Sequence, residues 1–294
     1  MPITISPVVD VKTSLGENPL WDIEQQRLYF IDSADGRIFR TTADGYRVET
    51  WDVREMIGSM ALRSGGETAV VALQSGIYSF DFKKDQLELL HAPEADTPTN
   101  RLNDGKADSR GRFVFGSMDT REAEGAGKLY RLDPDMSLTT LDEGIVCSNG
   151  PCWSPDERTF YFTDSWSGEI RAYDYEPETG SVSRRRTFVS VDERDGGLAD
   201  GMTVDAEGFL WEAHVFAGKL NRYAPDGTLE RSINMPVRKV TSVMFGGPNL
   251  DTLFVTSMGR SPKPQFPEDG PLRGAVFAVE GLGVRGLPAY RFGA

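Results

Sequence analysis

Cysteine and histidine are both scarce in this sequence, which contains two of each among its 294 residues. Two cysteines cannot build a disulfide framework. We predict instead that Cys147 and Cys152 are buried, free thiols that pack as small apolar side chains. A hydrophobic core must then hold the fold together, and the 39% of apolar residues can supply one.

Long apolar runs are also missing. No stretch approaches the roughly 18 consecutive apolar residues that a membrane-spanning helix needs, and the opening MPITISPVVD is too short and too polar for a signal peptide. The net charge of −13 would repel the phosphates of nucleic acid. We therefore expect a cytoplasmic protein, a monomer or weak homo-oligomer, that binds neither nucleic acid nor membranes.

A hairpin pattern recurs six times, and no long amphipathic helical pattern separates the copies. The first strands alternate apolar and polar residues and read RLYFID (27–32), TAVVAL (68–73), RFVFGS (112–117), TFYFTD (159–164), FLWEAH (209–214) and TLFVTS (252–257). Their partners read GRIFR (36–40), SGIYSF (75–80), GKLYRL (127–132), GEIRAY (168–173), GKLNRY (218–223) and GAVFAV (274–279). A spacing of about 40 to 50 residues is typical of propeller blades. The sequence thus predicts an all-β, six-bladed β-propeller of four-stranded antiparallel blades, forming one domain over residues 1–294.

The two ends of the chain also have strand-like patterns. ITISPVVDV (3–11) precedes the first hairpin, and LPAYRF (287–292) follows the last one. Closing the ring would remove the exposed edge strands on which other chains could pair. We therefore predict that these two segments pair in a shared blade and close the propeller.

One position, five residues before the first turn of each copy, carries an unusual set of side chains. Its occupants are Glu17, Gly58, Asn103, Asn149, Asp200 and Ser242. Since this position begins the innermost strand of each predicted blade, we expect the six side chains to face the central axis. Turn capping would explain one or two of them, but not their shared register. Converging carboxylates and carboxamides need a partner, and a hard divalent cation satisfies their oxygens together.

The predicted ligand set contains oxygen donors alone. Oxygen ligands favour Ca²⁺, with Mg²⁺, Mn²⁺, Zn²⁺ and Fe²⁺ as alternatives. Three or four protein ligands leave coordination positions open for water and substrate, which is the catalytic arrangement. The sequence therefore predicts one divalent cation on the propeller axis.

Five ordered segments resemble the SMP-30/gluconolactonase/luciferin-regenerating family. They are LGENPLWD (15–22), RLNDGKADSRGRF (101–113), SNGPCWSPDERTFYFTDS (148–165), DGMTVDAEGFLW (200–211) and FGGPNLDTLFVTS (245–257). The resemblance implies a bacterial sugar lactonase that binds its metal through Glu17, Asn149 and Asp200. It also implies substrate contacts from Arg101 and Asn103. A substrate-contacting Glu of some members falls where this chain has Arg121, so either Asp119 or Glu122 takes that role or a different sugar is preferred.

Together these features predict metal-dependent hydrolysis of a sugar lactone to the sugar acid. The metal would polarise the lactone carbonyl, and Asp200 is the candidate general base for the attacking water. Two alternatives stay open, because a fold does not fix a function. One is a phosphotriesterase-like hydrolase on the same scaffold, and the other is a non-catalytic propeller with a structural metal.

Overall fold

Six four-stranded antiparallel sheets make up the computed structural model, which describes residues 2–191, 196–260, 266 and 269–293. The strands of blade 1, from the inside outward, are β2 (Gly16–Asp22), β3 (Arg27–Asp32), β4 (Arg37–Thr41) and β5 (Glu49–Asp52). Those of blade 2 are β6 (Ile57–Leu62), β7 (Thr68–Leu73), β8 (Ile77–Asp81) and β9 (Gln86–His91). Those of blade 3 are β10 (Asn100–Ala107), β11 (Phe113–Asp119), β12 (Gly127–Leu132) and β13 (Leu138–Ile145).

Blades 4 to 6 repeat this arrangement. Blade 4 consists of β14 (Ser148–Trp153), β15 (Thr159–Asp164), β16 (Glu169–Glu176) and β17 (Ser181–Ser190). Blade 5 consists of β18 (Leu198–Val204), β19 (Leu210–Val215), β20 (Lys219–Tyr223) and β21 (Leu229–Asn234). Blade 6 consists of β22 (Val240–Gly246), β23 (Thr252–Ser257), β24 (Val276–Glu280) and the N-terminal β1 (Thr4–Val9). The predicted six-bladed propeller is confirmed.

Helix is almost absent from the described part of the chain. A short 3-10 helix (Ser165–Ser167) follows β15. No helix among the described residues is long and apolar enough to cross a membrane.

The hydrophobic core lies in layers between consecutive blades. Leu28 and Phe30 of β3 pack in a cluster shared with blade 6, whereas Tyr29 and Ile31 pack in a cluster shared with blade 2. This follows from strand geometry, since successive side chains point to opposite faces of a sheet. Equivalent clusters lie between blades 2 and 3, 3 and 4, 4 and 5, and 5 and 6. The six layers hold the blades in a closed ring, while a single domain over residues 1–294 stays a prediction.

The N-terminal strand closes the ring, but with a partner other than the predicted one. β1 pairs antiparallel with β24, from Thr4 opposite Glu280 to Val9 opposite Val276. The prediction that residues 287–292 join this blade is wrong. Gly281 and Gly283 adopt left-handed φ values of 78° each and turn the chain away after β24, and Pro288 has no amide to donate to a ladder.

The segment over residues 285–293 instead crosses the far ends of the innermost strands and touches every blade. Arg285 is hydrogen-bonded to Ala206 of blade 5, Gly286 to Leu250 of blade 6, and Tyr290 to Glu157 of blade 4. Arg291 is hydrogen-bonded to Asp22 of blade 1, Phe292 to Leu62 of blade 2, and Gly293 to Gly111 of blade 3. The C-terminal segment therefore covers one end of the axis. The other end, where the innermost strands begin, carries the side chains predicted to bind metal.

Candidate active site

The predicted axial position lies near the start of each innermost strand. Glu17 is the second residue of β2, Asn149 is the second of β14, and Asp200 is the third of β18. In all six blades the pairing of the innermost strand with its neighbour shifts register at or beside this position. Such bulges insert an extra residue and re-aim a side chain. A repeated backbone irregularity thus accompanies the predicted axial side chains in every blade.

A cavity that is open to solvent lies over these strand starts. Six of the seven predicted site residues line it, namely Glu17, Arg101, Asn103, Glu122, Asn149 and Asp200. The structure therefore brings together side chains from blades 1, 3, 4 and 5 that are far apart in sequence. Asp119 is not among the lining residues.

The remaining two axial positions have different environments. A Cβ atom on Gly58 would lie 2.4 Å from the carbonyl oxygen of Leu102 and 2.5 Å from the Cα of Asn103. Glycine at position 58 therefore allows β10 to approach closely. Ser242 is buried beside Gly201, whose added Cβ would lie 2.1 Å from the Ser242 hydroxyl. Neither residue lines the cavity.

Glu17 and Asp200, two of the three acidic side chains that line the cavity, have raised pKa values. Burial raises the pKa of Glu17 to about 8, and the nearby Asp104 carboxylate adds to the shift. Burial also raises the pKa of Asp200 well above its ordinary value, with a further contribution from Glu17. Asp200 Oδ1 is buried and accepts no hydrogen bond. An unpartnered carboxylate oxygen in such a place is costly, and a cation bound beside it would remove that cost.

Asn149 is held with its amide oxygen toward blade 3. Its Nδ2 donates to Ser165 Oγ (2.9 Å), while its Oδ1 accepts from Asn103 Nδ2 (3.0 Å). The donor set at the floor of the cavity is thus two carboxylates and a carboxamide. Among the described residues, no group of three or more His, Cys, Asp or Glu side chains converges in metal-binding geometry, so a cation here depends on the Asn149 oxygen. Two hard carboxylates and one amide oxygen fit a Ca²⁺-type ion.

Arg101 and Asn103 form a second polar group in the cavity. Arg101 Nη1 donates to Asn103 Oδ1 (2.6 Å) and to the carbonyl oxygen of Leu102 (3.2 Å). Burial lowers the pKa of Arg101, while Glu17 and the other acidic side chains around it oppose that shift. Since Asn103 Oδ1 already accepts from Arg101, its oxygen is engaged by blade 3 itself. Asn103 therefore presents its amide nitrogen, and not a free oxygen, toward Asn149.

Asp119 and Glu122 occupy different places. The Asp119 carboxylate is fully buried and accepts from Arg121 Nε (3.0 Å) and from the backbone amides of Arg121 (3.2 Å) and Ala123 (3.3 Å). The hydrogen bond from Arg121 lowers the pKa of Asp119. Glu122 has a left-handed φ of 53° and lines the cavity, where Trp166 Nε1 donates to its Oε2 (3.1 Å). Asp119 thus braces the turn that carries Glu122 into the cavity.

Sequence reasoning missed the apolar half of the cavity. The side chains not predicted to line it are Leu15, Met118, Ser165, Leu198, Val215, Phe216 and Met258, together with Trp166 and Cys147. Several of them directly follow the second strand of a blade, as Ser165, Phe216 and Met258 do. Since that strand runs antiparallel to the innermost one, its end lies beside the axial position. The sequence could therefore have predicted these lining residues from their place directly after the second strand of each blade.

The cysteine prediction is confirmed, since both thiols are free and buried. Cys152 packs in the cluster between blades 4 and 5, and Cys147 reaches the cavity. Burial raises the pKa of both thiols, that of Cys152 to about 12. Both therefore remain protonated at neutral pH.

The fold and cavity together define a six-bladed propeller with an open, acidic site on its axis. Residues 15–259 match the SMP-30/Gluconolactonase/LRE-like region. The chain therefore belongs to this family. Pentonolactonase XacC from Haloferax volcanii is 36% identical over 297 residues, covering 98% of each chain.

Two solved structures are similar along almost their whole length. A luciferin-regenerating enzyme superposes with a TM-score of 0.94 at 30% identity, covering 99% of each chain. A calcium-binding protein, regucalcin, from Agrobacterium tumefaciens superposes with a TM-score of 0.90 at 26% identity, covering 97% of each chain.

Proposed function

We propose that this protein is a metal-dependent hydrolase of sugar lactones. The observation that carries the proposal is the pairing of Glu17 with Asp200 at the cavity floor, where burial raises both pKa values and Asp200 Oδ1 has no hydrogen-bond partner. A bound cation would satisfy this geometry and leave the cavity open to a small substrate. The pentonolactonase from Haloferax volcanii supports a lactone as that substrate.

Glu17, Asn149 and Asp200 would hold the metal. Their oxygen donors favour Ca²⁺ over softer ions, in keeping with the calcium-binding relative from Agrobacterium tumefaciens. When bound, the cation would supply Lewis-acid polarisation of the lactone carbonyl and stabilise the oxyanion.

The chain's own residues would supply the remaining chemistry. A lactone is a cyclic ester, so an attacking water must lose a proton as the ring opens. Asp200 is our candidate general base for this proton. Glu17 and Asn149 would hold the metal beside Asp200 and take no part in the proton transfer.

Arg101 and Glu122 would orient the sugar. Arg101 can donate to the hydroxyl groups of the substrate, and Glu122 can accept from them, since both line the cavity on blade 3. Asn103 would orient Arg101 and Asn149 through its hydrogen bonds to both. It would also contact the substrate. The geometry favours Glu122 over Asp119 as the acidic substrate contact, because Asp119 faces its own turn.

A lactone panel tests the proposal. Chelator-treated protein is assayed by acid release on gluconolactone, xylonolactone and arabinolactone, with Ca²⁺, Mg²⁺, Mn²⁺, Zn²⁺ or Fe²⁺ added singly and spontaneous opening subtracted. A phosphotriester serves as the rival substrate. We expect lactone hydrolysis that requires an added cation and exceeds phosphotriester hydrolysis.

Matched variants assign the activity to the cavity. Asp200→Asn and Glu17→Gln are expected to lower kcat/KM by roughly 100-fold or more. Asp226→Asn and Glu88→Gln, at exposed positions, should leave it unchanged. Activity that is absent in the parent, or that survives both cavity substitutions, would mean that the protein is not a lactonase of this kind.

A further inference from the structure

The cavity has two chemically different sides. Blades 3 and 4 supply Arg101, Asn103, Glu122, Asn149 and Ser165, which all carry hydrogen-bonding groups, together with Met118, Cys147 and Trp166. Blades 5, 6 and 1 supply the apolar side chains Leu198, Val215, Phe216, Met258 and Leu15. Between the two sides, Glu17 and Asp200 lie at the floor. A bound molecule therefore meets polar groups on one edge and hydrocarbon on the other.

The apolar side is a packed wall. Leu198, Val215 and Met258 are buried against one another, and Leu15, Trp166 and Phe216 pack onto them. Among the described residues that line the cavity, blades 5, 6 and 1 contribute no hydrogen-bonding side chain other than Glu17 and Asp200. We call the six residues of this cluster the apolar wall.

Phe216 completes the apolar wall at a conformational cost. Its φ of 70° lies in the left-handed region, where a bulky side chain is strained. Its ring stacks on Phe266 with centroids 3.7 Å apart and planes 6° from parallel. Strain of this kind persists where surrounding contacts over-determine a residue, and it concentrates at ligand sites. The main chain therefore fixes an aromatic ring on the hydrocarbon side of the cavity.

Substrate orientation follows from the position of the polar groups. The reacting carbonyl must face Glu17, Asn149 and Asp200, and the ring hydroxyls find Arg101 and Glu122 on blade 3. The remaining edge of the molecule then lies against the apolar wall. A substrate hydroxyl on that edge would lose its hydrogen bonds to water and gain none from the protein. A methyl group at the same place would be buried favourably.

We propose that the substrate is a sugar lactone with an apolar edge, namely a deoxy-sugar lactone that ends in a methyl group. This inference rests on the proposed lactonase function and names its substrate class. A hydrophobic pocket discriminates against an added hydroxyl by up to about 100-fold. We therefore expect kcat/KM for a methyl-terminated lactone to exceed that of its hydroxymethyl counterpart by roughly 10- to 100-fold.

Two substrate pairs that differ by one terminal hydroxyl test this inference. D-fucono-1,4-lactone is compared with D-galactono-1,4-lactone, and L-rhamnono-1,4-lactone with L-mannono-1,4-lactone. A preference for the methyl-terminated member of either pair by about 10-fold or more supports the inference. Equal or reversed preference in both pairs overturns it, as does hydrolysis of other sugar lactones with none of these four. Failure to hydrolyse any lactone instead overturns the proposed function itself.

Substitutions in the apolar wall test its part in the preference. Met258→Gln and Leu15→Gln each add an amide to the wall, and both should reduce the methyl preference by about 5-fold or more. Met56→Gln is the matched control, because Met56 is half-buried and does not line the cavity. A methyl preference that persists unchanged in both folded wall variants overturns the assignment to this wall.

Discussion

Asn103 Nδ2 donates a hydrogen bond of 3.0 Å to Asn149 Oδ1, so a side chain of blade 3 orients a candidate metal ligand of blade 4. The same nitrogen donates to the carbonyl oxygen of Ser148 (2.7 Å), and Asn103 Oδ1 accepts from Arg101. One carboxamide thus connects the groups proposed for metal and for substrate. Partners that orient metal ligands contribute strongly to affinity.

The first prediction concerns this connection. Asn103→Ala removes the donor to Asn149 and frees Arg101, so we expect Ca²⁺ affinity to fall about 10- to 100-fold and KM for lactone to rise. Isothermal titration calorimetry and steady-state kinetics measure the two effects. Asn234→Ala, at an exposed position of β21, is the control. Unchanged Ca²⁺ affinity would contradict the orienting role, and complete loss of binding would make Asn103 a direct ligand.

The second prediction separates Asp119 from Glu122. Asp119→Asn weakens the bracing of the turn, so we expect KM to rise about 3- to 10-fold with kcat within about 2-fold of the parent. Glu122→Gln removes the proposed substrate contact and should raise KM further. Arg121→Ala should change either constant by less than about 2-fold, because the Arg121 side chain is 59% exposed. A larger effect from Asp119→Asn than from Glu122→Gln would reverse the two roles.

The third prediction concerns pH. The pKa of Glu17 in the folded protein, about 8, lies above its ordinary 4.5. A carboxyl shifted in this direction contributes stability below its unfolded pKa and loses that contribution as pH rises through the folded one. Chelator-treated protein should therefore show a falling Tm between pH 5 and pH 9.

Metal binding should oppose this loss, because a cation competes with the proton for the same carboxylate. We expect the Tm increase on adding Ca²⁺ to be larger at pH 9 than at pH 5, as measured by calorimetry. Glu17→Gln cannot ionise at this position and should show a smaller pH dependence. A Ca²⁺ effect that is greatest at pH 5 would contradict the prediction.

The fourth prediction concerns the C-terminal segment. Phe292 is 1% exposed, packs between blades 2 and 3, and lies under the Arg63 guanidinium at 5.5 Å. Phe292→Ala should lower the free energy of unfolding by about 3–5 kcal/mol, measured by urea denaturation. Tyr290→Ala, on the same segment but 39% exposed, should cost less than about 1 kcal/mol. Equal losses of unfolding free energy in the two variants would mean that burial of Phe292 does not anchor the segment to the blades.

The fold could be predicted because each blade repeats one local pattern. The strand over residues 159–164 shows its alternation directly, with Phe160 and Phe162 on one face and Tyr161 on the other. The pairing of residues 287–292 was predicted wrongly, because strand-like alternation does not show which strand of a blade a segment will pair with. β24 offers that edge to β1, and the turn at Gly281 and Gly283 directs the rest of the chain elsewhere.

The site was predictable only in part. The shared register predicted that Glu17, Asn103, Asn149 and Asp200 face one axis, because equivalent positions of a ring of blades do so. The family resemblance then singled out Glu17, Asn149 and Asp200 as metal ligands, which stays a prediction. The bracing of the turn by Asp119 and the apolar wall depend on how separate loops meet, and no local pattern encodes that. Phe216 illustrates this, because its ring position depends on a left-handed backbone and on stacking with a residue 50 positions away, Phe266.

Cation stoichiometry tests the central claim most directly. Chelator-treated parent protein, titrated with Ca²⁺ by calorimetry, should bind one equivalent per chain. Glu17→Gln and Asp200→Asn should each lose this binding while remaining folded by circular dichroism, and Glu88→Gln should retain it. Undiminished binding in both cavity variants, or none in the parent with any of the five cations, would contradict a metal held by Glu17, Asn149 and Asp200.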